Sequence, residues 1–198
     1  MKTLLAAIIF ICCAQPLLAQ SAAPLVVSPS MFTVIKNGRV TTPGVDTWYV
    51  QDSTLVLEAD AGSHSLEAEL GSWMQQHDYL EFVFDITWKN DTASNGQSNA
   101  AALTLMMDNV PYFTVTTPLV WKWAAGQALN GAVTDAVSFK EQQVQRVHLV
   151  LPVAHGAKGL LSLQVQGQGD TEAKVNDDFY ISNIQVKAGV NPVAAVLY

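Results

Sequence analysis

From Tyr79 to Lys89 the chain alternates without a break, with Leu80, Phe82, Phe84, Ile86 and Trp88 on one parity and Tyr79, Glu81, Val83, Asp85, Thr87 and Lys89 on the other. Successive side chains of an extended strand point to opposite faces, so this period of two predicts a strand with one face in a core. A helix would scatter the same five apolar residues around its circumference. Shorter alternating runs predict strands at 31–36, 47–51, 55–59, 64–70, 101–107, 112–116, 145–151, 160–166 and 178–187. No window sustains helical spacing over three turns.

The punctuation agrees. Pro43-Gly44, Asn95-Gly96, Asn130-Gly131, Gly156, Gly159, Gly167 and Gly169 fall between the apolar runs. Pro111, Pro118 and Pro152 sit at strand edges, where a missing amide donor does least harm. In the last strand Phe179 and Ile181 share one parity while Ile184 and Val186 share the other. A β-bulge near Ser182-Asn183 is therefore expected, because one extra residue keeps all four inside. About ten short strands without helices or repeats predict an all-β fold, a two-sheet antiparallel β-sandwich of jelly-roll type. Two polar stretches, 90–99 and 124–143, read as long variable loops.

The N-terminus has the pattern of a secretory signal: Lys2, a short apolar run from Leu4 to Cys13, then Pro16-Leu17-Leu18-Ala19. The run falls well short of the roughly eighteen residues of a membrane span, so cleavage after Ala19 and no retained span are expected. The expected divisions are a signal peptide at 1–19, an N-terminal segment at 20–30, a sandwich at 31–187 and a tail at 188–198. A secreted or periplasmic address, bacterial in style, follows. Both cysteines, Cys12 and Cys13, lie in the signal, so the mature chain is expected to form no disulfide and to offer no thiol chemistry. The net charge of −7, with scattered Lys and Arg, gives no basic stripe for a phosphate backbone, and no nucleic-acid partner is expected.

Candidate chemistry is sparse. Glu58 and Asp60, and Glu67 and Glu69, are alternate acidic pairs, about 6.6 Å apart along a strand, in the region of glycosidase carboxylate spacings. No third acid follows either pair, and a solvated strand face accounts for both. His64, His77, His148 and His155 show no ligand spacing, and no nucleophile elbow is present. Asp170, Glu172, Asn176, Asp177 and Asp178 crowd one loop without matching a defined calcium motif. No catalytic residue, metal or cofactor is assigned. Aromatic residues are the better lead: Trp121 and Trp123 are i,i+2 and project to one side of an extended segment. Such rings can stack on the apolar C–H faces of sugars, with Tyr112 and Asn109 as nearby hydrogen-bonding candidates.

The segments WYVQDSTLVLEA (48–59), YLEFVFDITWKND (79–91) and DFYISNIQVK (178–187) resemble, in order and pattern, the concanavalin A-like lectin and glucanase sandwiches, including laminin G-type modules. Lys36-Asn37-Gly38 followed by Trp48, with the same closing strand, also resembles jelly-roll carbohydrate-binding modules, which usually carry Asp where this chain has Ser182. Both resemblances imply a sugar ligand. The expected function is an exported, non-catalytic, lectin-like protein that binds a glycan or polysaccharide. The alternatives are a glycoside-active enzyme of the same fold and a structural or protein-binding module.

Overall fold

The computed structural model describes residues 25–36, 39–41, 48–51, 53–58, 63–71, 77–89, 100–117, 123–135, 138–154, 156–168 and 178–188. In chain order the strands are β1 (Leu25–Val26), β2 (Thr33–Lys36), β3 (Arg39–Thr41), β4 (Trp48–Gln51), β5 (Thr54–Glu58), β6 (Ser63–Glu69), β7 (Tyr79–Lys89) and β8 (Ala100–Met107). They continue with β9 (Val110–Thr116), β10 (Trp123–Ala128), β11 (Val133–Thr134), β12 (Ser138–Lys140), β13 (Gln145–Pro152), β14 (Leu160–Gln168) and β15 (Asp178–Ala188). A 3-10 turn at Pro29–Met31 precedes β2.

Two antiparallel sheets face each other. One has seven strands in the order β11-β13-β7-β15-β5-β4, with β1 also paired to β15; the other has eight, in the order β12-β10-β9-β8-β14-β6-β2-β3. From β10 onward the chain changes sheet at every step, β11 to β15 alternating between the two, which ties the layers together as a jelly roll does.

The long alternating strand lies near the centre of its sheet, between β13 and β15. Leu80, Phe82, Phe84, Ile86 and Trp88 are all buried, as their parity requires, while Glu81, Asp85 and Lys89 are more exposed on the other face. Opposite them, Leu103, Leu105, Phe113, Val115, Leu161, Leu163 and Val165 close the core from the eight-stranded sheet. Phe84, Phe113 and Phe139 stack edge to face in succession, with centroids 6.3 and 6.2 Å apart. The buried indole of Trp88 donates to the Phe139 carbonyl at 3.2 Å, so burying it strands no donor.

The bulge is where parity demands it. The register of β15 against β7 shifts between Ser182 and Gln185, and Asn183 takes a φ of 53°. Its side-chain amide donates to the Asp85 carboxylate at 2.7 Å, and Phe179, Ile181, Ile184 and Val186 all end up buried. The bulge also divides the edge of β15 away from β7, which pairs with β5 on one side of it and with β1 on the other.

The stretch 124–143 departs from its reading as a loop, since it carries most of β10 and all of β11 and β12. Ala124-Ala125-Gly126-Gln127-Ala128 has no β-branched or apolar alternation to announce a strand. Pairing with β9 and β12 on either side supplies what propensity does not, and Ala124, directly opposite Phe139 in that register, is buried with it. The expected count of about ten strands is low for the same reason, the short strands β1, β3, β11 and β12 being too brief for any periodicity. The expected loop at 90–99, the tail beyond 188 and the signal segment lie outside the described residues.

A two-residue turn, Asp108-Asn109, joins β8 to β9 with φ of 51° and 66°, the doubly left-handed geometry of a tight hairpin. The Asp108 carboxylate accepts from three backbone amides, Lys158 at 2.7 Å, Gly159 at 3.3 Å and Leu160 at 2.9 Å, and so fastens the start of β14 to the hairpin. Asp108→Ala should therefore cost about 1–3 kcal/mol, since it leaves these donors short of a partner. A thermal melt checks it, with Asp108→Asn recovering only part of the loss.

Candidate functional site

The outward positions of the eight-stranded sheet follow from the core pattern. Wherever Leu103, Leu105, Phe113, Val115, Leu161 and Leu163 point in, their neighbours point out. Strand pairing then aligns Gln127, Thr114, Thr104, Gln164 and Ser65 in one continuous row across β10, β9, β8, β14 and β6. Five strands at the usual spacing make this row about 19 Å long. Every member is a hydroxyl or an amide, and none is charged. The Thr114 hydroxyl donates to the Leu103 carbonyl at 3.3 Å and lies 3.2 Å from that of Thr104, so the Thr104 hydroxyl is left to donate to it. The next row, Ala125, Thr116, Ala102 and Gln166, is mostly small and forms a low floor.

Trp123 stands beyond that floor on the same face of β10, opposite Lys140 of β12, and is 51% exposed. It is the largest exposed apolar side chain among the described residues. Outward neighbours on one strand are about 6.6 Å apart, so the ring overlooks the floor and, across it, the polar row. A flat apolar ring beside a run of uncharged donors and acceptors suits a ligand with both C–H faces and many hydroxyls. Trp121, its expected partner in a platform, lies outside the described residues.

Tyr112 and Asn109 lie elsewhere. Thr116 pairs with Ala125 and Phe113 with Ala128, so Tyr112 is at the far end of the β9–β10 hairpin from Trp123, roughly 20 Å along the strands. Tyr112 is only 6% exposed and packs in the core cluster; burial, and secondly the Asp108 carboxylate, push its phenol above the usual tyrosine range. Asn109 is exposed in the hairpin turn, where its tolerance of a positive φ explains its presence. The geometry therefore brings neither residue beside Trp123. What sequence reading missed is the polar row, whose signal is a set of Thr, Ser and Gln at outward parity on five strands. It can be assembled only once the strand order is known.

Glu67 and Glu69 also face outward, next to the Ser65 end of the row. With Met31, Thr33 and Leu160 they line a depression of about 470 Å³, and the Ser65 hydroxyl reaches Glu67 at 3.5 Å. Glu58 belongs to β5 on the opposite sheet, and Asp60 lies outside the described residues, as do His155 and residues 170–177. No cluster of three or more His, Cys, Asp or Glu able to hold a metal occurs among the described residues. No described helix is long and apolar enough to cross a membrane.

The outer face of the seven-stranded sheet has a different character. His148 lies 2.6 Å from Glu81, and Lys187 approaches the other oxygen of the same carboxylate at 3.4 Å. Arg146 and Asp135 complete a shallow, mixed-charge depression there, of about 320 Å³. There the Glu81 carboxylate is engaged by both His148 and Lys187.

No protein-family model and no curated protein matches the chain. Solved structures do. The Emp47p carbohydrate recognition domain is 11% identical and covers 82% of this chain and 90% of its own, with a TM-score of 0.43. The alginate lyase AlgAT5, of polysaccharide lyase family 7, is 9% identical over 83% of this chain and 100% of its own, at 0.45. The winged bean acidic lectin, solved with methyl-α-D-galactose, is 7% identical over 85% of this chain and 100% of its own, also at 0.45. A xylanase fragment with a CBM22 module and cyclases from Fischerella sp. TAU are matched as well.

Proposed function

We propose that the chain is an exported, non-catalytic protein that binds carbohydrate through the outer face of its eight-stranded sheet. The observation that supports this best is the uncharged row from Gln127 to Ser65, set beside the exposed ring of Trp123. Sugar hydroxyls need donors and acceptors without a strong field, and hydroxyl and amide side chains supply both. The ring supplies apolar area for a C–H face. A protein ligand would call instead for a larger apolar centre than one tryptophan over alanine and threonine provides.

The acidic pair Glu67 and Glu69, facing out beside the same row, favours cleavage of a bound glycan as the second reading. One experiment separates the two. The protein lacking residues 1–19 is titrated calorimetrically with a panel of soluble neutral glycans, and the same mixtures are assayed for new reducing ends. Binding without release is expected. Release that disappears in Glu67→Gln or Glu69→Gln would establish the enzyme, and absence of binding across the panel would remove the carbohydrate reading.

A further inference from the structure

A second depression, of about 370 Å³, opens on the outer face of the seven-stranded sheet, apart from the charged one around Glu81. Its floor is set by strand register. Thr87 of β7 is directly opposite Tyr180 of β15, and Ser182 follows Tyr180 at the same parity; all three are half-buried. At Ser182 the sheet is interrupted, because β15 stops pairing with β5 at Ile181 and starts pairing with β1 only at Gln185. Thr54, next to the last paired residue of β5, lines the recess on this side.

The turn at 140–144 supplies the other wall. Gln142 takes a φ of 57° and its amide donates to the Trp88 carbonyl at 2.9 Å, while the Gln143 amide donates to the Lys140 carbonyl at 3.2 Å. The turn is thus fastened to the end of β7, so the rim is in place before a ligand arrives and binding bears little of the cost of ordering it. Val144, at the end of the turn, also lines the recess and is 70% exposed, more than any other large apolar side chain among the described residues. It has no part in the core cluster, and covering it removes apolar surface from water.

Beside this apolar wall stand the hydroxyls of Thr54, Thr87, Tyr180 and Ser182 and the amide of Gln142. Hydroxyls and amides both donate and accept. The one charged residue of the lining, Lys89, has the acid Asp178 directly opposite it in the register, so the recess presents no uncompensated charge. Two-way hydrogen-bonding groups around one apolar wall fit a neutral polyol ring with a C–H face. At about 370 Å³ the recess is at the small end of ligand sites, which run from roughly 300 to 1,000 Å³, and this suits one such ring. We propose that it is a second carbohydrate site, taking a single neutral sugar ring, and that the protein is bivalent, with one glycan site on each sheet. The inference rests on the carbohydrate reading above only for the kind of ligand, since the two sites share no residue.

The test titrates methyl β-D-glucoside, methyl β-D-galactoside and methyl α-D-mannoside separately into the isotopically labelled protein lacking residues 1–19, with amide shifts followed by nuclear magnetic resonance. At least one glycoside should move the amides of Thr87, Tyr180 and Ser182 saturably, with the weak affinity expected of so small a ligand. Thr87→Val keeps the side chain's shape and removes its hydroxyl, and should weaken this binding about fivefold. Val144→Ala should weaken it about threefold by removing apolar contact. Neither variant should lower the melting temperature, and Trp123→Ala, on the other sheet, should leave this binding unchanged. Still amides with all three glycosides overturn the inference, as do shifts that Thr87→Val and Val144→Ala both leave undiminished, or that Trp123→Ala abolishes. The reading of the eight-stranded face is judged separately, by the neutral glycan panel and by loss of binding in Trp123→Ala, so each site can fail without the other.

Discussion

Phe84→Ala is expected to destabilise the protein by about 3–5 kcal/mol, a large share of the total stability of a domain this size. Phe84 is buried on the central strand of one sheet and meets Phe113 of the other edge to face at 6.3 Å, so truncation leaves a cavity where the layers touch. Collapse is restricted, because β7 is pinned by β13 and β15 on its two sides. With no cysteine among the described strands, packing has no covalent help. Urea unfolding of the wild type and variant measures the difference, and a loss below about 1 kcal/mol would mean that the interlayer stack bears little of the stability.

Trp123→Ala should act on binding instead. The ring is half exposed, so its removal should cost under about 1 kcal/mol of stability, whereas one buried ring face at about 25 cal/mol/Å² is worth about 1–3 kcal/mol of ligand affinity. That is a weakening of roughly 5- to 150-fold. Calorimetry beside a thermal melt tells the two roles apart. A lowered melting temperature with unchanged affinity would make Trp123 a cap on the sheet edge.

The contrast between these residues shows what the sequence discloses. Phe84 is legible because it sits in an unbroken alternation long enough to admit no other period, and Asn183 because a change of parity within one strand has few remedies besides a bulge. β10 is illegible because Ala, Gly and Gln carry almost no local preference, and its strand state is imposed by the neighbours on each side. The site is harder still. Gln127 and Ser65 lie far apart in the chain and meet in one row only because β10, β9, β8, β14 and β6 are adjacent in that order. Tyr112 and Asn109 illustrate the converse, since closeness in sequence to Trp121 and Trp123 translates into opposite ends of a hairpin once the strands pair antiparallel.

The most direct test of the carbohydrate face is a nuclear magnetic resonance titration of the isotopically labelled protein with an oligosaccharide found to bind. The account predicts that the Trp123 indole and the amides of Thr104, Thr114, Gln127 and Gln164 shift together and saturate at one ligand concentration. Shifts confined to Arg146, His148 and Lys187 on the seven-stranded sheet, with the Trp123 indole unmoved, would contradict it.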